Sequence, residues 1–513
     1  MAVREIRRKG LLAAGVLGLS LVTACSGGGG GGSDSGPDTA GAPANSGSST
    51  SAPVEITMMN QYLTAEPPKM DSEPMKLLQQ YTNSKLNVTW VPSSSYSEKV
   101  TASIAVAGDL PMLMLVKDDR NPAIIEAARA GQFWELGPYL KDYPNLKSLD
   151  PGRLSNISID GKVYGIYRWR PIARNGIIIR KDWLDNLGLQ EPKTLDELLN
   201  VMKKFTTDDP DKDGKNDTFG IAFDSNSAQF NHFLSIMGGP NLWQYQDGKM
   251  TPDFMTKAYM DTLKLLHRMY VDKLFNSDFP VVKDRTTLIN QGKAGVYIGA
   301  YDDLNARFTD LYKSNPNAKL DTVPNISGPD GKIHVQGGTG YNSVFMIPKT
   351  SVKTEDQLRQ VLSFIDKLGD QDVLNLMTWG IEGKHYKVEN GKAVRIDEQV
   401  YTDEVYNTLF QMMVFDGSKA MPGEIDPSVA KFNQLIKDNE QYAVPDPAQA
   451  LLSPTEMEKG TQLDQIIMDA RTKFIIGEID EKGFQQALDN WRKSGGDKVI
   501  AEYEQEYAKT AKQ

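Results

Sequence analysis

The chain has few of the residues on which many enzymes and metal centres depend. It is 513 residues long and has one cysteine, Cys25, and four histidines, at positions 232, 267, 334 and 385. One cysteine excludes an intrachain disulfide and a thiolate metal cluster within one chain. The histidines lie far apart without ligand spacing, and patterns for a nucleophile elbow, a zinc-binding helix or a phosphate loop are missing. We therefore predict no catalytic residue and no histidine-based metal site.

Long apolar runs are also missing after the N-terminal region, so no later segment is predicted to span a bilayer. Positive charge is in the minority, because the formal net charge is -10 at pH 7. A negative chain is a poor partner for nucleic acid or anionic lipid. The length that follows residue 53 is sufficient for two lobes, each with its own hydrophobic core.

The N-terminus has the pattern of an export signal. A basic segment at residues 4–9 precedes an apolar stretch at 11–22 that is too short for a stable membrane anchor. Residues 21–25 (LVTAC) resemble the bacterial lipobox, which implies a signal peptide at 1–24 and lipidation of Cys25. The alternative is an ordinary signal peptide beside a chance cysteine. Residues 25–53 are rich in Gly, Ser and Pro, and they predict a flexible tether.

Beyond the tether, apolar runs alternate with amphipathic stretches. Residues 54–59, 86–90 and 113–116 are predicted strands, and helical patterns at 74–82 and 96–107 separate them. This order is typical of a parallel α/β sheet. Further strands are predicted at 177–179, 294–298 and 344–347.

Six short motifs, taken in order, resemble the extracellular solute-binding proteins of the sugar-binding class that serve ABC importers. They are residues 108–111 (GDLP), 161–166 (GKVYGI), 179–184 (IRKDWL), 194–198 (TLDEL), 292–296 (GKAGV) and 380–386 (GIEGKHY). The last resembles a lipoprotein subgroup that is similar to binders of alginate oligosaccharides and polysaccharide fragments. Met112 departs from the pattern, because the family usually carries an acidic residue there.

The resemblance implies a two-lobed, periplasmic-binding-protein-like α/β fold with a hinge and a ligand cleft between the lobes. It assigns 54–166 and 344–400 to lobe 1, and 167–343 and 401–513, with the C-terminal helices, to lobe 2. Crossings are expected near 164–169, 344–348 and 390–405.

The implied function is capture of an oligosaccharide for import by a monomer that is lipid-anchored to the outer face of the cell membrane and partnered by ABC permease subunits. Two alternatives remain open, a sensor subunit that presents ligand to a membrane kinase and an exported polysaccharide-degrading enzyme.

A calcium loop is predicted between positions 209 and 217. Oxygen-bearing residues alternate there, and Gly214 allows a tight turn, as in the first nine positions of an EF-hand loop. The predicted ligands are Asp209, Asp211, Asp213, Lys215 through its backbone, and Asp217. Gly220 occupies the place of the usual bidentate glutamate, so another oxygen would be needed. A solvated acidic turn is the alternative.

The predicted ligand contacts are aromatic rings for stacking on sugar faces and planar polar groups for hydroxyls or carboxylates. Arginines at 168, 170 and 174 surround Trp169 and favour an acidic sugar, unless they form a solvated face. The full set of candidates is Tyr62, Asp119, Arg120, Arg168, Trp169, Arg170, Arg174, Trp243, Tyr301, Tyr341, Asn342 and Trp379. Core packing is the alternative for the aromatic members.

Overall fold

The computed structural model describes residues 52–106, 108–226 and 228–510. The predicted signal peptide, Cys25 and nearly all of the tether lie outside these residues. Within the described part of the chain, no helix has both the length and the apolar character needed to cross a bilayer.

The described residues form fifteen strands. They are β1 Val54–Tyr62, β2 Ser84–Pro92, β3 Leu113–Val116, β4 Gly165–Trp169, β5 Asn175–Arg180, β6 Phe219–Ile221, β7 Trp243–Gln246, β8 Lys249–Pro252, β9 Ala294–Ala300, β10 Leu320–Val323, β11 Val335–Gln336, β12 Tyr341–Met346, β13 Tyr386–Glu389, β14 Lys392–Arg395 and β15 Ala443–Val444. Each predicted strand coincides with one of them, which confirms the sequence pattern.

The α-helices of the described residues surround these strands. They are α1 Glu73–Thr82, α2 Tyr96–Val106, α3 Pro122–Arg129, α4 Gly137–Leu140, α5 Pro151–Asn156, α6 Lys181–Leu187, α7 Leu195–Thr207, α8 Ala228–Ile236, α9 Lys257–Val271, α10 Thr286–Asn290, α11 Asp303–Ala306, α12 Thr309–Ser314, α13 Glu355–Lys367, α14 Gln371–Trp379, α15 Glu398–Tyr401, α16 Asn407–Leu409, α17 Pro427–Asn439, α18 Pro454–Ile475, α19 Glu481–Trp491 and α20 Asp497–Thr510. Helix α13 starts at a capping box, in which Thr354 and Gln357 satisfy each other's backbone N–H groups.

The first lobe is built on a five-stranded sheet of order β2-β1-β3-β12-β4. Strands β1, β2 and β3 are parallel, and β12 runs antiparallel to both β3 and β4. The parallel part has the predicted strand-helix order, because α1 and α2 connect its three strands. All four residues of β3 are buried, which explains its continuous apolar run.

The second lobe is built on a four-stranded sheet of order β10-β5-β9-β6. Strand β5 is antiparallel to both of its neighbours, and only β6 and β9 pair in parallel. Its core contains Trp183, which is fully buried and meets the ring of Phe205 edge-on at 5.3 Å. Helices α18, α19 and α20 pack on this core through Ile467, Phe484 and other apolar side chains.

The connections between the lobes fall at other places than the sequence predicts. Strands β4 and β12 lie entirely in the first sheet, so the chain leaves it after Trp169 and returns before Tyr341. The third crossing follows Glu424, not residues 390–405, because Met421 still bonds α14 and Glu424 still bonds β14 of the first lobe. The predicted boundary at 400/401 is therefore wrong, because the segment 401–414 buries its apolar side chains in the first core. These are Tyr401, Val405, Leu409, Met412 and Val414.

Candidate functional site

A cleft of about 670 Å³ lies where the two lobes meet. The first lobe contributes the loop after β3 and the start of α3, including Arg120. The second lobe contributes side chains from α8, β7, α9 and the C-terminal helices. The carboxyl end of a parallel strand in an open α/β sheet is where ligands commonly bind.

Aromatic rings cover the second-lobe wall of this cleft. The Trp243 ring meets Tyr503 edge-on with the centroids 5.0 Å apart, and Phe254 meets Trp491 at 4.9 Å. Tyr259 also lines the cleft. Of these rings, only Trp243 is in the predicted set. Trp243 and Phe254 are half-buried and offer apolar faces of the kind that stack on sugar rings, whereas the other three rings are buried behind them.

Four carboxyl groups in the same cleft were not predicted from the sequence. Burial raises the pKa of Asp253 to about 7, of Asp446 to about 6 and of Glu456 to about 7. Burial also raises the pKa of Asp464. We call these four residues the acidic group. They come from three separate parts of the chain, and no sequence motif links them.

Asp119 and Tyr341 are hydrogen-bonded to each other inside the first lobe. The Tyr341 hydroxyl donates to Asp119 Oδ2 at 3.1 Å, and both side chains are buried. Burial raises the pKa of Asp119, and the neighbouring Arg120 opposes this rise. Arg120 donates to the backbone oxygens of Ser158 and Asn156 and borders the cleft. Of these three candidate ligand contacts, only Arg120 lines the cleft.

Arg168 lies inside the first lobe, with 3% of its surface exposed. Its Nε and Nη2 atoms donate to the backbone oxygens of Met413 and Phe410 at 3.1 and 2.6 Å. Its Nη1 atom lies 3.2 to 3.3 Å from acceptors on Asn342, Ser343 and Gln411. The structure therefore corrects the prediction that Arg168 and Asn342 are free for a ligand, because they bond to each other and Arg168 also bonds the segment 410–413.

Arg174 and Arg170 lie on the boundary between the lobes and differ in their partners. Arg174 pairs with Asp302 of the second lobe, with Nη2 2.6 Å from Oδ2. Arg170 is half-buried, and in the described residues its guanidinium makes no ion pair or side-chain hydrogen bond. Burial, followed by the charge of Arg174, lowers the pKa of Arg170.

Tyr406 belongs to the first lobe and faces the same arginines. Its ring stacks on Phe410 with a centroid separation of 4.7 Å, and 41% of its surface is exposed. Burial and Asp302 raise the pKa of Tyr406, while Arg168, Arg170 and Arg174 lower it. An exposed aromatic face next to an unpaired arginine was not predicted at this position. We call Arg170, Arg174, Asp302 and Tyr406 the boundary cluster.

Two predicted aromatic contacts are core residues in the structure. Tyr301 is fully buried in the second lobe and donates its hydroxyl hydrogen to the Val323 oxygen at 2.7 Å. Trp379 is 5% exposed and donates from Nε1 to the Met421 oxygen at 2.8 Å. Neither ring has a free face, so the prediction that they stack on a ligand is wrong for this structure.

Two further aromatic predictions are half-buried. Tyr62 ends β1 and precedes Leu63, which is 66% exposed. Trp169 ends β4 and does not line the cleft, since its ring borders a smaller cavity within the first lobe.

The acidic loop between α7 and β6 brings three of its predicted calcium ligands together. One carboxylate oxygen each of Asp209, Asp211 and Asp213 lies within 4.8 Å of the others. Asp211 Oδ1 is buried without a hydrogen-bond partner, and burial together with Asp213 raises the Asp211 pKa. A cation would satisfy this oxygen, so the three residues fit calcium.

The other two predicted calcium ligands behave differently. Asp217 pairs with Lys293, away from the trio. The Lys215 side chain bonds Asp213 Oδ2 at 2.9 Å, where it competes with a cation. None of the loop residues lines the cleft.

Comparisons with known proteins agree with this architecture. The family model for bacterial extracellular solute-binding proteins matches residues 65–372. The polygalacturonan/rhamnogalacturonan-binding protein YtcQ of Bacillus subtilis (strain 168) is 42% identical over 461 residues, which cover 88% of this chain and 91% of YtcQ. Lipoprotein LipO of the same organism is 37% identical over 476 residues, which cover 90% of this chain and 94% of LipO.

Two solved structures share the fold at low sequence identity. An HMO binding ABC-transporter associated solute-binding protein from Bifidobacterium longum infantis ATCC 15697 superposes with a TM-score of 0.68 at 17% identity, over 89% of this chain and 99% of that chain. The alginate-binding protein AlgQ2, in a structure without calcium ion, gives a TM-score of 0.65 at 17% identity, over 89% and 98%. The family and these neighbours are binding proteins rather than enzymes. The chain belongs to the bacterial extracellular solute-binding proteins.

Proposed function

We propose that this protein captures an acidic oligosaccharide, of the galacturonate-containing kind, outside the cell membrane and delivers it to an ABC importer. The 42% identity to YtcQ over 88% of the chain supports this ligand class. The ligand binds between the lobes, and closure of the lobes presents the loaded protein to the permease.

The observation that supports an acidic ligand is the guanidinium of Arg170, which is unpaired among the described residues. The boundary cluster holds two arginines and one carboxylate, Asp302, which is already bonded to Arg174. The buried charge of Arg168 lies next to Arg170 and has no carboxylate partner among its bonds. An excess of positive charge is therefore concentrated at one place in a chain whose net charge is -10. A uronate carboxylate would neutralise it with charge-assisted hydrogen bonds.

The sugar rings would be held by aromatic faces on either side of the boundary. Tyr406 presents an exposed ring next to Arg170, and the cleft wall presents Trp243 and its neighbours. Carboxyl groups with raised pKa values can both donate to and accept from sugar hydroxyls. In this proposal, the boundary cluster binds the carboxylates of the ligand and the cleft binds its sugar rings.

Arg170→Gln should weaken binding of an oligogalacturonide about tenfold to a hundredfold. The reason is that a hydrogen bond to a charged group is worth about 1.5 to 3 kcal/mol. The carboxyl-reduced, neutral form of the same oligosaccharide should lose much less, because it brings no charge to the arginine. Titration calorimetry with both ligands measures the difference.

Arg268→Gln is the matched control, since this exposed arginine lies on the second-lobe helix α9, and its affinity for both ligands should equal that of the parent. Equal losses for the acidic and the neutral ligand in Arg170→Gln would mean that Arg170 does not recognise a carboxylate. Parent-like affinity of Arg170→Gln for the oligogalacturonide would refute the acidic-ligand proposal.

The membrane attachment is part of the proposal and rests on the sequence and on one relative. Cys25 closes a lipobox-like motif, and a relative that is 37% identical, LipO, is named a lipoprotein. A lipidated Cys25 followed by a Gly/Ser tether would hold the folded lobes near the outer face of the membrane.

We further propose that the loop formed by Asp209, Asp211 and Asp213 holds a structural calcium ion. Calcium should raise the melting temperature of the parent, since a ligand at 100 times its dissociation constant stabilises by about 2.7 kcal/mol. Replacing Asp211 and Asp213 by asparagine should abolish this increment. Thermal melting in calcium and in chelator measures it.

Asp217→Asn serves as the control, because Asp217 lies outside the trio and pairs with Lys293. It should retain most of the calcium increment. Oligosaccharide affinity in excess calcium should be equal in all three proteins, because the loop does not line the cleft. Identical melting curves for the parent in calcium and in chelator would rule out a calcium site.

A further inference from the structure

A second cavity lies in the first lobe, behind the strand that leads to the first inter-lobe connection. Its volume is about 230 Å³, and it shares no lining residue with the cleft between the lobes. Its walls come from the turn before α5, from β4, from the residues around α14 and from the segment after Val414. We call it the hinge cavity.

The hinge cavity adjoins two of the three connections between the lobes. Trp169 lines it and immediately precedes the first connection, and the Trp169 N–H donates to the oxygen of Val414, another lining residue, at 2.9 Å. Arg153, another lining residue, donates from Nε at 3.0 Å to the oxygen of Gly340, which precedes β12 at the end of the second connection. An occupant would therefore contact the segments that absorb backbone change when the lobes rotate.

The chemistry of the walls suits a sugar ring. The half-buried indole of Trp169 offers an apolar face, and the Arg153 guanidinium carbon lies 6.0 Å from its ring centroid. Lys419 supplies a second cation, and Asp150 and Asp416 supply carboxylates that accept from hydroxyls. One aromatic face with donors and acceptors around it is the arrangement by which proteins orient small polar ligands.

The size of the cavity limits the occupant. Pockets for drug-sized ligands have volumes of about 300 to 1,000 Å³, so this cavity admits one ring and not a chain of rings. We propose that the hinge cavity is a second binding site, separate from the oligosaccharide site, and that it takes a free monosaccharide. This second site does not involve the boundary cluster or an acidic oligosaccharide, so the proposal is independent of the proposed function.

Calorimetric titration of the mature chain with free D-galacturonate and with L-rhamnose tests the proposal. We expect binding of at least one of them to the parent. Lys419→Met should weaken that binding about tenfold, since it removes a charged donor. Trp169→Ala should weaken it at least as much, and Trp169→Phe, which keeps an aromatic face, less. A melting curve establishes that each variant is folded.

Two control variants distinguish binding in the hinge cavity from binding elsewhere on the protein. Lys392→Met removes an exposed lysine of β14, outside the cavity, and should bind the monosaccharide like the parent. Arg268→Gln, at an exposed arginine of α9, should also bind it like the parent, because Arg268 lines neither the cavity nor the cleft.

Two results would overturn the proposal. One is that neither monosaccharide binds to the parent. The other is that Lys419→Met and both Trp169 variants bind like the parent while Arg170→Gln does not, which would place the monosaccharide at the lobe boundary.

Discussion

Arg168→Met lowers the free energy of unfolding by about 1 to 3 kcal/mol, the cost of leaving buried polar groups short of a hydrogen-bond donor. The guanidinium is 3% exposed and bonds three side chains and two backbone oxygens. Methionine fills a similar volume but donates to none of these acceptors, so the Met413 oxygen loses its side-chain donor. The loss is limited because Gln411 Oε1 still accepts from Gln61 Nε2. Denaturant titration with a common slope for parent and variant measures the loss.

Two further variants make this measurement specific. Arg168→Lys keeps the charge but lacks the planar fork of donors, so we expect it to recover only part of the stability. Arg170→Gln, two residues later, should change stability by less than about 1 kcal/mol, because its guanidinium is half-buried and makes no side-chain bond in the described residues. Arg168→Met with the stability of the parent would mean that the network contributes nothing.

The arginines at 168, 170 and 174 show what the sequence could and could not predict. Their spacing around Trp169 correctly indicates a concentration of positive charge at the first connection. It does not indicate that the segment 410–413 covers Arg168, or that Asp302 of the second lobe pairs with Arg174. Both partners lie more than a hundred residues away, and a local pattern has no information about such contacts.

The fold was more predictable than the site, because strands and helices depend on local periodicity. The runs at 54–59, 86–90 and 113–116 all lie in strands of the first sheet. The third crossing was misplaced because the segment after β14 has few continuous apolar residues. Its Tyr401, Val405 and Leu409 lie four residues apart on one face, which is buried against the first core.

The orientation of the Tyr301 ring is a second feature that the sequence could not predict. Its position after β9 suggests a ligand contact, but Gly176 of the neighbouring strand has no side chain and leaves room for the ring to turn inward. A Cβ atom at Gly176 would lie 2.1 Å from the Tyr301 ring. Glycines 176 and 299 are paired in the sheet. This pairing indicates that the Tyr301 ring turns inward, but it can be recognised only after the register of β5 and β9 is known.

The acidic group predicts a second large effect, a loss of stability as the pH rises. Asp253 and Glu456 have pKa values raised to about 7 and Asp446 to about 6, whereas in the unfolded chain these groups titrate near 4. The folded state therefore holds more protons between pH 4 and 7. Stability from these groups is fully present below pH 4 and is lost as the pH rises through 6 and 7.

The expected loss between pH 6 and pH 8 is about 2 kcal/mol, most of it from Asp253 and Glu456. Denaturant titration of the ligand-free protein across this range measures it. His232 opposes part of this loss, because burial lowers its folded pKa to about 4 while the unfolded imidazole titrates near 6.5, so its contribution to stability rises with pH up to about 7. Asp253→Asn combined with Glu456→Gln should flatten the slope, whereas Asp142→Asn, at an exposed carboxyl of the first lobe, should not. A parent whose stability is constant from pH 6 to 8 would contradict the raised pKa values.

The same protons should couple to ligand binding. An oligosaccharide that fills the cleft removes water from Asp446 and Glu456, and the carboxylates of an acidic one add negative charge at longer range, so both effects favour the protonated forms and raise these pKa values further. Binding then takes up protons, so affinity for an oligogalacturonide should fall as the pH rises from 6 to 8, while affinity for its carboxyl-reduced form should change less. Calorimetry in two buffers of different ionisation enthalpy counts the protons directly. Binding of the acidic ligand without any uptake of protons would contradict this coupling between the ligand and the acidic group.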